Sequence, residues 1–158
     1  MAQTFCAAEY YTCIREGCNS LSVQSPMHVV RTIDQDKHAV YSTVTGEITM
    51  EEIRADMVRL AAEPLYSPDM PGIVDMRNAT AQLTTDELRQ ITDALKQSPR
   101  VVSRTRRALL VGSDMAEGLY RLFATLAADG RTEYRVFRDE GMARDWVDEA
   151  IAKRRLAR

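Results

Sequence analysis

The sequence predicts an α/β domain of order ββαβαβαβα, a mixed and mostly parallel sheet of about five strands flanked by four helices. Three observations predict it. From residue 27 onward, short runs rich in Val, Ile and Leu alternate with segments of helical period. Two of those helical segments open on a Thr followed three residues later by Glu. After an initial hairpin pattern, the strand-to-helix unit recurs to the end of the chain, which calls for right-handed crossovers and leaves one hairpin strand antiparallel.

Residues 27 to 33 and 39 to 45 are rich in Val, Ile, Tyr and Thr and are separated by Asp34, Gln35, Asp36 and Lys37, a β-hairpin pattern. In the second run Val40, Ser42 and Val44 alternate with Tyr41, Thr43 and Thr45, so one face should be drier. Thr49 and Glu52 have capping-box spacing ahead of Ile53, Met57, Leu60 and Ala61, and Pro64 stops that helix. Residues 72 to 76, with Ile73, Val74 and Met76, read as a buried central strand. Thr84 and Glu87 repeat the box before Leu88, Ile91, Ala94 and Leu95, with Ser98 and Pro99 as the stop. Residues 108 to 111 form an apolar strand ending at Gly112. Asp114 is then the expected N-cap of a helix with Leu119, Leu122, Phe123 and Leu126 as its stripe, and Gly130 suits the left-handed C-terminal cap. Residues 134 to 137 are the last strand. Asp139 starts a helix expected to bury Met142, Ala143, Trp146, Val147, Ala150 and Ile151.

At 158 residues, 45% hydrophobic and 28% charged, the chain suits one globular domain, read as 27 to 158 with a basic C-terminal end. Residues 1 to 26 show no hydrophobic period and read as a disordered extension or a start codon assigned too early. No apolar run approaches the roughly 20 residues of a membrane helix, and Glu9, Arg15 and Glu16 break any signal-peptide core, so a cytoplasmic location is the expectation. Cys6, Cys13 and Cys18 all precede residue 20 and cannot staple the rest. The net charge of −2 argues against nucleic acid as a partner. Residues 1 to 98 carry 8 basic and 14 acidic side chains and residues 99 to 158 carry 13 and 9. That asymmetry either steers an acidic partner or, the reading weighed first, reflects Arg100, Arg104, Arg106 and Arg107 solvating a loop and a strand start while residues 153 to 158 cap the last helix.

The element order, Gly46-Glu47-Ile48-Thr49 before the first helix, Ile73-Val74-Asp75-Met76-Arg77 in the middle strand, and Val136-Phe137-Arg138-Asp139 through Ala143 and Trp146 carry a resemblance. Over roughly residues 28 to 150 the chain resembles the STAS superfamily of sulfate-transporter and anti-sigma-factor-antagonist domains, in particular its SpoIIAA-like branch. The resemblance implies a Ser or Thr at the start of the helix after the middle strand, phosphorylated by a partner kinase. Thr84 and Thr85 occupy that place. The surrounding Gln82-Leu83-Thr84-Thr85-Asp86 departs from the usual acidic residue, paired hydroxyls and glycine, and Asp86 and Glu87 would repel a phosphate, so Thr84 is weighed first as a plain N-cap.

The carboxyl ends of parallel strands are the usual ligand edge of an open α/β sheet. Asp75, Arg77, Asn78, Gly112, Ser113, Asp114, Arg138 and Asp139 should converge there, able to hold a small anion or lipid headgroup, or simply pairing and capping among themselves. Tyr120 either extends an apolar partner surface or closes a pocket mouth, with packing at the core boundary as its default. Only His28 and His38 are available as histidine bases, which disfavours covalent catalysis. Cys6, Cys13, Cys18 and His28 lack the short spacings of zinc sites, so neither metal nor cofactor is expected. The leading expectation is a non-enzymatic regulatory or binding domain acting on a protein partner, a regulator or kinase, or on a small anionic or lipid ligand at the strand edge. The resemblance of this branch to CRAL-TRIO lipid carriers makes a hydrophobic-ligand binder the alternative, to be marked by an apolar cavity under the last two helices. A small hydrolase using Asp75 or Asp114 is third.

Overall fold

The computed structural model describes residues 25 to 156. In chain order the elements are β1 (His28–Asp34), β2 (Ala39–Ile48), α1 (Met50–Ala62), β3 (Gly72–Ala81), α2 (Thr85–Lys96), β4 (Arg106–Leu110), α3 (Asp114–Ala127), β5 (Glu133–Phe137) and α4 (Glu140–Leu156). The strands form one sheet in the order β1-β2-β3-β4-β5, antiparallel between β1 and β2 and parallel elsewhere. This is the predicted ββαβαβαβα architecture. Because consecutive strands are neighbours, right-handed crossovers carry α1, α2 and α3 to one face, and α4, which follows the last strand, covers the other.

Strand alternation divides the core accordingly. Ala39, Ile73, Ala108, Leu110 and Phe137 face α4 and pack against its Ala143, Trp146, Val147 and Ile151. Ala39, Ala108 and Ala143 are fully buried, and such small side chains let helix and sheet approach closely. The guanidinium groups of Arg106 and Arg135 lie 5.0 and 5.3 Å from the Trp146 ring centre and close this layer from outside. On the opposite face Val44, Ile48, Met76, Leu109, Val111 and Tyr120 form a second cluster. No residue of α1 is fully buried, so that layer is looser.

Four local expectations change. Ser113, not Asp114, caps α3, its Oγ accepting from the Ala116 amide at 3.2 Å. Asp114 is the first helical residue, where its carboxylate is free to pair elsewhere. The inner line of α3 runs through Ala116, Tyr120, Phe123 and Ala127. Tyr120 is only 8% exposed and Leu122 is 37% exposed, because turning the long aromatic inward buries more apolar surface. Met142, expected in the core, is 64% exposed on α4. The Thr49 box is half formed: Thr49 accepts from the Glu52 amide, but the Glu52 carboxylate takes the Met27 amide at 2.8 Å, tying α1 to the start of β1. The box at Thr84 and Glu87 is complete.

β3 also runs five residues past the predicted Met76. Thr43 pairs with Asp75 but Thr45 pairs with Asn78, so β3 carries one extra residue in a bulge before pairing resumes through Ala81. Earlier in the same strand, a Cβ on Gly72 would lie 2.0 Å from the Val40 carbonyl and 2.8 Å from Arg107 Nη1. In α3, a Cβ on Gly118 would meet nothing within 4 Å. Gly72→Ala is therefore expected to destabilise the domain by about 2 to 3 kcal/mol, and Gly118→Ala to stabilise it by about 0.5 to 1 kcal/mol. Urea denaturation of both variants checks this; shifts of the same sign contradict the packing described.

Candidate functional site

The strand-edge residues do converge. The bulge in β3 leaves Arg77 at the surface, where its Nη2 meets Asp75 at 2.6 Å and Glu140 of α4 at 2.9 Å. The backbone of Gly112 packs on that of Arg77, leaving no room for a side chain: a Cβ there would sit 2.8 Å from the Arg77 carbonyl oxygen. Arg138 donates to the Gly112 carbonyl at 3.3 Å and pairs with Asp114 and Glu117. Asp139 caps α4 by accepting from the Met142 amide at 2.8 Å, and Ser113 is occupied in capping α3. Asn78 is exposed on β3 beyond the bulge.

Electrostatically this edge is internally paired. Arg77 and Arg138 each meet two carboxylates, and Glu140 is shared with Arg144 at 2.6 Å. Hydrogen bonds from the Arg77 side chain hold the Asp75 carboxyl below its ordinary 3.8, and Arg144 with Arg77 holds Glu140 below its ordinary 4.5. An incoming anion would have to displace a carboxylate from either arginine. At the start of α2, the Thr84 hydroxyl accepts from the Glu87 amide and donates to the Glu87 carboxylate, while the same carboxylate takes the Thr84 amide at 2.8 Å. Thr85 is exposed on the first helical turn.

A second site lies inside. Between the sheet and α1, α2 and α3 is an apolar cavity of about 210 Å³, walled by residues such as Val44, Met57, Leu60, Ile91, Leu109 and Phe123. Tyr120 belongs here rather than on the surface, and burial pushes its hydroxyl up to about 12. The cavity is expected under the last two helices; of those only α3 contributes, because α4 is tightly packed on the far face. Arg31 reaches it from β1 and pairs with Asp56 of α1 at 2.7 Å. Arg107, read from sequence as a solvated strand start, is instead 7% exposed and lines the cavity. Its Nη2 donates to the Tyr66 hydroxyl at 2.6 Å, and that hydroxyl donates in turn to the Val101 carbonyl.

Arg107, Tyr66 and Tyr134 are the functional candidates that sequence reasoning passes over. Alternation along β4 sends Arg106 to the α4 face, over the Trp146 ring, and Arg107 to the opposite face, where it lines the cavity. Among the described residues no group of His, Cys, Asp and Glu gathers as a metal site; Cys6, Cys13 and Cys18 lie outside those residues. No described helix is long and apolar enough to cross a membrane.

Both carboxyls at the strand edge are depressed, so their contribution is fully present above their unfolded values and is lost as pH falls. Arg77→Met is expected to destabilise at neutral pH, with the gap to the native protein closing below about pH 4. Denaturation curves across that range test it; a gap that persists unchanged at pH 3 would contradict the pairing.

No protein-family model matches the sequence, and no curated protein matches it. A solved structure does: an uncharacterised protein of the DUF3478 family from Shewanella loihica PV-4, described as having a SpoIIAA-like fold. It is 16% identical, with a TM-score of 0.52 over 83% of this chain and 99% of its own. The element order, the mixed sheet and this structural match together establish that the chain has a SpoIIAA-like α/β fold.

Proposed function

We propose that the domain is a non-enzymatic binding module whose ligand is a small, largely apolar molecule held between the sheet and α1, α2 and α3. The observation that carries this reading is the cavity itself. Removing side-chain volume from a core costs about 24 cal/mol per Å³ of space left behind. On that scale about 5 kcal/mol is the upper bound for leaving a space of about 210 Å³ empty, and its partial opening to solvent lowers that cost. α1 supports the same reading, since Ile53, Met57 and Leu60 face the cavity yet remain only half-buried. A ligand would complete their burial, and α1 is the wall most able to move aside for entry.

Recognition at the strand edge draws less support from the geometry, because Arg77 and Arg138 are already paired there. Hydrolysis draws less again. A general acid needs a carboxyl held protonated near neutral pH. Asp75 is shifted the other way, and the Asp114 side chain is almost wholly in solvent. The phospho-switch reading has to contend with Glu87, whose carboxylate occupies the position a phosphate on Thr84 would take.

Titration with the uncharged dye 1-aminoanthracene, small enough for a space of about 210 Å³, tests the cavity. A single saturable site with a fluorescence rise is expected, weakened at least about tenfold in Met57→Trp, whose indole projects into the space. Met57 is half-buried on the loosest element, so folding should survive, which circular dichroism checks. Equal binding by the native protein and Met57→Trp, or no binding by the native protein, would count against the cavity as the site.

A further inference from the structure

We propose that the cavity's ligand carries a carboxylate head, seated on the Arg107 guanidinium at the amino ends of β3, β4 and β5, with a single apolar chain running toward Tyr120 and Phe123. This rests on the cavity reading above and names the chemical class it selects.

Arg107 lies in register with Gly72 on one side and Tyr134 on the other. The missing Cβ of Gly72 makes room for the guanidinium, whose Nη1 would otherwise be 2.8 Å from it. The group stacks 5.8 Å from the Tyr66 ring centre and spends one donor on the Tyr66 hydroxyl. No carboxylate among the described residues lies within ion-pair distance of it. An arginine is always charged and presents five N–H donors; Arg107 spends one on a neutral hydroxyl, and its other nitrogens keep accessible surface from which they can meet a ligand. Buried charges are ordinarily paired, and an unpaired one facing a cavity points to an anion as the missing partner.

The remaining polar groups narrow the class. The charged groups lining the cavity are Arg31, Arg107 and Asp56, and the first pairs with the last. The net charge offered to a ligand is therefore one positive, on Arg107, which matches a monoanion. Arg31 is already engaged by Asp56 and by the Ser42 hydroxyl, and Arg59 lies 3.8 Å from the other Asp56 oxygen, so Arg107 is the guanidinium left to meet an anion. Tyr134 lines the cavity, and its hydroxyl has no hydrogen-bond partner among the described residues and lies within the electrostatic reach of Arg107. Burial pushes it up to about 12, so it is a neutral donor at physiological pH. A planar guanidinium with a nearby phenol donor suits the planar, bidentate geometry of a carboxylate. Away from this corner the walls are apolar, which suits a hydrocarbon chain.

Calorimetric titration with decanoate, 1-decanol and decyl phosphate, which share one chain and differ in head, tests the assignment. The native protein is expected to bind decanoate at least about tenfold more tightly than 1-decanol. Arg107→Met should erase that preference while keeping 1-decanol binding. Tyr134→Phe, a smaller change, should weaken decanoate by about threefold and leave 1-decanol unaltered, and it keeps the test open if Arg107→Met does not fold. Binding of 1-decanol without preference for decanoate overturns the carboxylate head and leaves the cavity reading standing. Tighter binding of decyl phosphate than of decanoate overturns the head in favour of phosphate. If neither decanoate nor 1-decanol binds, the cavity reading falls and this assignment falls with it.

Discussion

Sequential strand order, combined with the handedness of crossover connections, forces every connecting helix of this domain onto one face of the sheet. Three helices share that face, and α4 must cover the other unaided. The two layers answer different packing problems. Under α4 the sheet offers Ala39 and Ala108, the helix offers Ala143, and the close approach lets Trp146 and Phe137 interlock with ring centres 5.6 Å apart. Across the sheet, three shorter helices bridge a wider span, and α1 in particular never buries a residue completely. The cavity lies where that coverage is thinnest.

The paired and unpaired arginines divide along the same line. At the exposed edge, Arg77, Arg138 and Arg144 each meet carboxylates, and solvent screens what they exchange, so they add little stability apiece. Arg107 is removed from solvent, and a buried charge without an ionic partner carries a penalty on the order of several kcal/mol. Its position is over-determined by the Tyr66 hydroxyl, the Tyr66 ring and the space at Gly72. A residue held so firmly in an unfavourable environment is one that folding alone does not explain, and a ligand that meets the charge offsets the penalty at the moment of binding.

Most of the architecture was legible because local signals agreed with one another. Thr49, Thr84 and Asp139 cap the helices their spacing predicts, and the hairpin and the strands near Gly72, Ala108 and Tyr134 stand where runs of β-branched and apolar residues place them. What escaped the sequence depends on three-dimensional context. The five residues added to β3 are small or polar and become strand only because β2 supplies partners across a bulge. Tyr120 displaces Leu122 from the inner face of α3 because the open layer has room for a larger ring. Arg107 sits in a run of arginines that composition assigns to solvent, and only alternation along β4 sends it inward. Of the expected site residues, those at the strand edge do gather, whereas the cavity's polar corner joins Tyr66, Arg107 and Tyr134 from three separate segments, a juxtaposition no local motif encodes.

A crystal structure of the full chain grown with decanoate would test the central claim most directly. Carboxylate density is expected within hydrogen-bond distance of Arg107 and the Tyr134 hydroxyl, with the hydrocarbon chain extending between the sheet and α1, α2 and α3. Density for the acid only at the strand edge around Arg77 and Arg138, or a cavity closed by side chains of α1 with no acid inside, would contradict it.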